Sequence, residues 1–111
     1  MIERYTVYWV NLDPVIGREI AKTRPAVVIS DNAMNHNLGT VVICPITSRL
    51  HPRWPSRIQT SLAGEPAEIA IDQIRTIDKS RIGDRIDSID DAAATGIRHV
   101  VTAMYGVLAG A

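Results

Sequence analysis

The sequence predicts a mainly β domain, in which a small antiparallel sheet curls into a partial barrel covered by a long C-terminal helix. Short segments rich in β-branched and aromatic residues follow one another without βαβ alternation. An apolar stripe with helical spacing then runs through residues 93–108. The length of 111 residues suits one core, so we expect residues 1–111 to form a single domain.

Composition limits the classes of protein that fit the chain. No apolar run approaches the roughly 20 residues that cross a bilayer, and no signal peptide is recognisable. We therefore expect a soluble, cytoplasmic protein that does not enter a membrane. The single cysteine, Cys44, lies in an apolar run, which favours a small buried side chain over a nucleophile or a ligand.

The charges balance overall but are unevenly distributed along the chain. The formal net charge is zero, which argues against indiscriminate binding of polyanions. Residues 1–57 carry seven basic and four acidic side chains, whereas residues 58–111 carry five basic and eight acidic ones. This asymmetry fits either a basic face for RNA or two halves that neutralise each other across the fold.

The first two strands are predicted from their β-forming composition. Residues 5–12 are rich in Tyr, Val, Trp and Thr and end at the turn-forming pair Asp13-Pro14, so strand 1 is expected there. Residues 25–30 form strand 2. Trp9 lies in the middle of strand 1 and is predicted to belong to the core.

A short helical turn and a third strand follow. Asp31 can cap a helical turn that runs through residue 37 and ends at Gly39. Strand 3 is expected over residues 40–47. Pro45 predicts an edge position or a bulge at its far end, which places Thr47 on exposed, irregular backbone.

Residues 48–56 are too polar and proline-rich for a buried element, so a projecting loop is expected there. Strand 4 follows over residues 57–62. Gly64 and Pro66 are predicted to turn the chain into strand 5 at residues 68–71.

The last element is predicted to be a helix. Ser88 and Asp91 have the spacing of a capping box. The apolar stripe of the helix consists of Ala93, Ile97, Val100, Val101, Met104 and Leu108. Gly96 and Gly106 weaken the helix but permit close packing.

Charge is concentrated where the loop at residues 13–22 enters strand 2. Arg18, Glu19, Lys22 and Arg24 place four charges within seven residues. Pro25 fixes its own φ angle and favours an extended Arg24, so the guanidinium should hold a defined position at the rim of the strand. Taken alone, this pattern favours a solvated loop arginine beside a proline that opens a strand.

No metal or cofactor site is expected from the motifs. The sequence has no Gly-rich phosphate loop, zinc-ligand spacing or Gly-x-Ser-x-Gly elbow, and its histidines are scattered. His99 lies off the apolar stripe and should be on the surface. His51 is flanked by arginines; a solvated loop histidine is the favoured interpretation, and contact with RNA is the alternative.

Five motifs occur in a family-like order and spacing. They are Leu12-Asp13-Pro14, Gly17-x-Glu19, Thr23-Arg24-Pro25, Pro45-Ile46-Thr47-Ser48 and Asp72-Gln73-Ile74-Arg75-Thr76-Ile77-Asp78. Together they resemble the MazF/PemK family of toxin endoribonucleases, including its Kid-like branch. The resemblance implies an SH3-like barrel of the CcdB/MazF type, a homodimer, metal-independent cleavage of single-stranded RNA, and inhibition by a cognate antitoxin.

The resemblance also implies roles for individual residues. The family's catalytic arginine corresponds to Arg24, and its catalytic threonine corresponds to Thr47. In the Kid-like branch, an aspartate with a base-like role corresponds to Asp72. This chain departs from that branch because it has Arg18 in place of a histidine and Ala70 in place of an arginine.

The chemistry of RNA cleavage agrees with these roles. Attack by the 2′-hydroxyl needs a proton acceptor, stabilisation of charge on phosphorus, and a proton for the leaving 5′-oxygen. Arg24 suits charge stabilisation and is a poor base, while Thr47 can donate to the same phosphate. Glu19 and Asp72 are the available carboxylates, and Asp72 is either catalytic or a structural acceptor for Arg75 or nearby backbone.

An RNA-binding surface is expected around these residues. Trp54 lies between Arg53 and Arg57, so it can stack on an unpaired base, or it can fold back on the barrel. The remaining candidates for RNA binding are Arg18, Lys22, Ser48, Arg49, Gln73 and Arg75. The same arginines could accept an acidic, disordered antitoxin segment in place of RNA.

The predicted function is that of a type II toxin that inhibits translation and growth by cutting mRNA, leaving 2′,3′-cyclic phosphate ends. One alternative is a CcdB-like gyrase poison without a catalytic phosphate site. Another is a non-catalytic SH3-like module that binds RNA or a partner. Arg24-Pro25 paired with Pro45-Ile46-Thr47 favours the nuclease.

Overall fold

The computed structural model describes residues 1–106. In chain order the elements are β1 (Thr6–Asn11), β2 (Thr23–Val28), α1 (Asn32–Asn37), β3 (Thr40–Thr47), β4 (Arg57–Leu62), β5 (Glu65–Ala70), a 3₁₀ turn (Ile71–Gln73), β6 (Arg75–Asp78), a second 3₁₀ turn (Lys79–Arg81), β7 (Ile82–Ser88) and α2 (Asp91–Tyr105). Neither helix in residues 1–106 is long and apolar enough to cross a membrane.

The sheet is organised around β3. The strand order is β4-β5-β3-β2-β1-β7, and β6 pairs with the first half of β3. Residues 40–43 of β3 face β6, residues 43–45 face β2, and residues 46–47 face β5, all antiparallel. One long strand therefore joins two portions of a curled sheet, and the predicted mainly β partial barrel with a C-terminal helix is confirmed.

The curled sheet buries apolar side chains on both faces. Val7, Val27 and Ile69 pack on the face covered by α2. Val10 and Ile43 belong to a second cluster, which is formed by the opposite face. Side chains of β1, β2 and β3 contribute to both clusters, so these three strands run through the centre of the core.

The apolar stripe of α2 is confirmed at its N-terminal end. Ala93 and Ile97 are buried, whereas Met104 is exposed. Leu108, the last predicted member, lies outside the described residues. A Cβ atom added at Gly96 would lie 3.0 Å from Cδ1 of Ile58, so the helix packs closely on β4 at this glycine.

Three expectations about the C-terminal half were wrong. Asp90, rather than Ser88, caps α2, because its carboxylate accepts a hydrogen bond from the N–H of Ala93. Ser88 instead ends β7, a strand that the sequence interpretation missed. The turn before β5 is formed by Ala63 and Gly64, both with positive φ, so Pro66 already lies within the strand.

Two expectations about the N-terminal half also need correction. Trp9 is 46% exposed and therefore does not belong to the core. Pro45 does not place the end of β3 at an edge. It lies opposite Ala26 of β2, and the strand continues to a half-buried Thr47 that pairs with Glu68 of β5.

Candidate functional site

The two predicted catalytic residues lie at the same edge of the sheet. Arg24 is near the start of β2 and Thr47 is at the end of the antiparallel β3, in a register that places Ala26 opposite Pro45. Both line a cleft of about 190 Å³ together with Ser48. The exposed Arg24 donates from Nε to the carbonyl of Ala21 at 3.2 Å, which leaves its terminal nitrogens available to an anion.

A wider groove of about 620 Å³ adjoins this cleft, since Thr47 lines both. The groove contains four of the predicted RNA-binding residues, namely Arg18, Arg49, Trp54 and Gln73. Oγ1 of Thr47 accepts a hydrogen bond of 3.1 Å from the backbone N–H of Arg49, so its own hydroxyl proton remains available for donation.

The loop at residues 13–22 is held against the 3₁₀ turn that begins at Ile71. The N–H of Ile20 donates to the side-chain carbonyl of Gln73 at 2.7 Å, and the guanidinium of Arg75 donates to the carbonyl of Leu12 at 3.0 Å. Oε1 of Glu19 accepts the N–H of Ile16 at 3.0 Å. These bonds fix the groove wall that carries Arg18.

The remaining predicted residues divide into two groups. A recess of about 350 Å³ brings Glu19 and Arg75 beside Asp72 and Gln73 of the main groove. Lys22 and Arg53 line neither the cleft nor the groove nor this recess. Lys22 has a φ of 69° and an N–H bonded to Asp13, while Arg53 is exposed in the loop between β3 and β4.

Beneath the groove lies a network of ionic hydrogen bonds that sequence reasoning missed. The side chain of Glu68 has no accessible surface and that of Arg57 is 5% exposed. Nη1 of Arg57 donates to Oε2 of Glu68 at 2.6 Å, and its Nε donates to Oδ1 of Asp72 at 2.8 Å. Gln59 adds a bond of 2.6 Å to Glu68, and Ser56 adds one of 2.9 Å to Asp72. The structural partner of Asp72 is thus Arg57, and the expected pairing with Arg75 was wrong.

These contacts shift the pKa values of both carboxyl groups. Burial alone would raise the pKa of Glu68, but hydrogen bonds from Gln59, the backbone of His51 and Arg57 outweigh it and lower the pKa. Burial is likewise outweighed at Asp72, whose pKa is lowered by Arg57 and Ser56. Both groups are therefore anionic at neutral pH.

Folding stability should consequently fall in acid. A carboxylate with a lowered folded pKa stabilises the protein above its unfolded pKa, near roughly 4, and loses that contribution as the pH falls through the folded value. We expect the free energy of unfolding, measured in urea, to decline steadily below about pH 4. Asp72→Asn should reduce the slope of this decline. A stability that is constant between neutral pH and pH 3 would contradict the ion-pair assignment.

His51 and Trp54 are packed more closely than expected. Their rings stack with centroids 3.9 Å apart, and the guanidinium carbon of Arg57 lies 4.6 Å from the centroid of Trp54. The backbone N–H of His51 also donates to Glu68. His51 is therefore anchored rather than a solvated loop histidine, and Trp54 is folded against the protein while remaining 47% exposed.

Two predictions about other side chains are confirmed. Cys44 is fully buried, and this burial raises the pKa of its thiol to about 12. His99 is exposed on α2.

Within residues 1–106, no three His, Cys, Asp or Glu side chains are arranged so that they could hold a metal ion.

Comparisons with known proteins cover nearly all of the described chain. A family model described as "PemK-like, MazF-like toxin of type II toxin-antitoxin system" matches residues 3–105. The chain is 32% identical over 96 residues to endoribonuclease EndoA of Bacillus subtilis (strain 168), covering 82% of this chain and 83% of that protein.

Solved structures have the same fold. MazF (Form-I) from Deinococcus radiodurans superposes with a TM-score of 0.83 and 25% identity, covering 95% of this chain and 96% of that one. An endoribonuclease in complex with its cognate antitoxin from Mycobacterial species superposes with a TM-score of 0.78 and 20% identity, covering 96% of each chain.

Proposed function

The chain belongs to the PemK-like, MazF-like toxin family of type II toxin-antitoxin systems, and on that premise we propose that it is an endoribonuclease that cuts single-stranded RNA. The relative in Bacillus subtilis is named an endoribonuclease. The observation that carries the proposal is the cleft shared by Arg24 and Thr47, which opens into a groove with further arginines. An RNA phosphate in the cleft would meet a guanidinium and a hydroxyl.

The proposed reaction uses the RNA's own 2′-hydroxyl as the nucleophile. Attack on the neighbouring phosphorus forms a 2′,3′-cyclic phosphate and releases a 5′-hydroxyl end. Arg24 offers planar donors to the phosphate oxygens as negative charge develops, and Thr47 donates one further hydrogen bond. Both residues belong to ordered strands, so the protein contributes orientation as well as charge.

The roles proposed for the two nearby carboxylates are structural. Both oxygens of Asp72 accept hydrogen bonds from Arg57, and its lowered pKa makes it a weak base. Glu19 uses Oε1 to close its own loop at Ile16. We assign Asp72 to the support of Arg57, and Glu19 to the support of the loop that carries Arg18.

Cleavage should need no added metal, because arginine and threonine donors supply the charge stabilisation. We expect single-stranded RNA to be cut in excess chelator, with 2′,3′-cyclic phosphate and 5′-hydroxyl ends identified by mass spectrometry. The same oligonucleotide with a 2′-deoxyribose at the scissile position should resist cleavage completely. Dependence on magnesium, or cutting of the deoxy substrate, would contradict this mechanism. Inhibition of DNA gyrase without RNA cleavage would instead favour the CcdB-like alternative.

We further propose that an antitoxin controls the enzyme in the cytoplasm. One structural neighbour is an endoribonuclease in complex with its cognate antitoxin. The groove presents Arg18 and Arg49 beside the cleft with Arg24. An acidic, disordered segment with apolar anchors would complement these charges and would exclude RNA from the same surface.

A homodimer is the proposed assembly. Trp9 and Tyr105 are 46% and 67% exposed, which leaves large apolar side chains for a second subunit to cover. We expect light scattering at micromolar concentration to give the mass of two chains. The mass of one chain under those conditions would contradict the proposal.

A further inference from the structure

The imidazole of His51 is held by several contacts. Its backbone N–H donates to Oε1 of Glu68, and its Nδ1 lies 3.5 Å from Oε2 of the same carboxylate. The ring of Trp54 stacks on it at 3.9 Å. The N–H of Trp54 also donates to the carbonyl of His51 at 3.0 Å, which closes the turn between them. The ring therefore has little freedom to reorient.

These contacts determine where the neutral ring carries its proton. Nδ1 is inaccessible to solvent and has no hydrogen-bond partner within residues 1–106 at the usual distance, while the carboxylate of Glu68 faces it. A carboxylate cannot donate a hydrogen bond, so a proton on Nδ1 is favoured over a bare lone pair there. The lone pair of the neutral ring then lies on Nε2.

That lone pair is available to a substrate. Nε2 makes no hydrogen bond within the described chain and is not enclosed, since the side chain of His51 remains 29% exposed although Nδ1 is covered. The ring lines the groove that also contains Thr47 and Arg49. A proton acceptor thus lies in the groove that adjoins the proposed phosphate site, and Thr47 lines both.

We propose that His51 is the general base of RNA cleavage and that Glu68 is its positioning residue, an inference that rests on the proposed function. Nε2 takes the proton of the 2′-hydroxyl, the bond from O2′ to phosphorus forms, and the bond from phosphorus to O5′ breaks. The leaving oxygen takes a proton from water in the open groove, and the imidazolium returns its proton to solvent. Glu68 stabilises the imidazolium in the meantime.

The charged groups around the ring of His51 include both signs and are compatible with its acting as a proton acceptor. The charged groups that face it from the surrounding elements are Glu68 of β5, Arg57 of β4, Asp72 of the 3₁₀ turn, Arg49 at the start of its own loop and Arg18 across the groove. Arg57 already bridges Glu68 and Asp72, so one cation is matched by two carboxylates beneath the ring.

The first test compares single-turnover cleavage rates as a function of pH. His51→Gln should lower the rate by about 10²-fold or more, and it should remove the decline of the rate in acid that a general base predicts for the wild type. Binding of an all-deoxy oligonucleotide of the same sequence should be unchanged. His99→Gln, on the exposed surface of α2, should match the wild type in rate and pH profile. A His51→Gln variant with the wild-type rate and profile would overturn the inference.

The second test uses the unmodified protein, so it does not depend on the folding of a variant. Nitrogen-15 NMR of the neutral His51 ring should show the proton on Nδ1 and a bare Nε2. The opposite tautomer would overturn the inference even if the wild type cuts RNA normally. A wild-type protein that cuts no RNA would overturn the proposed function as well, so the two failures are distinguishable.

Discussion

Arg24→Ala should reduce the rate of RNA cleavage by about 10²-fold or more and leave the fold unchanged. Removal of one donor that stabilises developing charge typically costs an enzyme about 10²–10³ in rate. The side chain of Arg24 is exposed and makes one hydrogen bond, to Ala21, so it contributes little to the core. Single-turnover cleavage and a urea unfolding curve measure the two effects separately.

Arg24→Lys distinguishes geometry from charge. Lysine keeps the positive charge but loses the planar pair of donors, so we expect it to restore only a small part of the activity. Arg85, an exposed arginine of β7, provides the matched control. Arg85→Ala and Arg85→Lys should both cut RNA at the wild-type rate. Full activity of Arg24→Lys would mean that positive charge alone suffices in the cleft.

Glu68→Ala should be the most destabilising single change considered, lowering the free energy of unfolding by about 3–5 kcal/mol. The substitution leaves the guanidinium of Arg57 with one carboxylate instead of two. It also removes the acceptor of Gln59 and of the backbone N–H of His51. Buried donors that lose their acceptor retain the full cost of desolvation. Urea denaturation followed by circular dichroism provides the measurement.

Two further variants separate burial from charge. Asp72→Ala removes the other carboxylate partner of Arg57, but Asp72 is 35% exposed, so water can replace it and the loss should be below about 1 kcal/mol. The double variant Arg57→Met with Glu68→Leu should recover part of the stability lost in Glu68→Ala, because no uncompensated charge remains. Equal losses for Glu68→Ala and Asp72→Ala would show that burial is not the controlling factor.

The proximity of Arg24 and Thr47 could be anticipated from the sequence. Arg24 precedes one strongly apolar segment and Thr47 ends another, and the order of the motifs resembles one family closely enough to predict a role for both positions. The helical stripe was equally readable, because Ala93 and Ile97 recur at the period of a helix. Local pattern and motif order were sufficient for these features.

Other features depend on tertiary context. In β7, Ile82 and Ile86 are interrupted by charged residues, so its alternation is weak and only pairing with β1 defines it. Trp9 is a residue type suited to a core, but its exposure depends on which parts of β1 other elements cover in the folded protein. Predicting the Arg57–Glu68 pair requires the register of the β4–β5 hairpin. The turn at Ala63 sets that register, in which Gln59 lies opposite Glu68.

The deep position of Cys44 makes the molecule convenient for spectroscopy. Thiol reagents attack the thiolate, and a fully covered thiol with a pKa of about 12 presents almost none of it. The native protein should therefore not react with maleimide dyes. A cysteine introduced at the exposed Arg53 would carry the only label, beside the groove, and could report the arrival of a ligand without any cysteine-free background having to be built first.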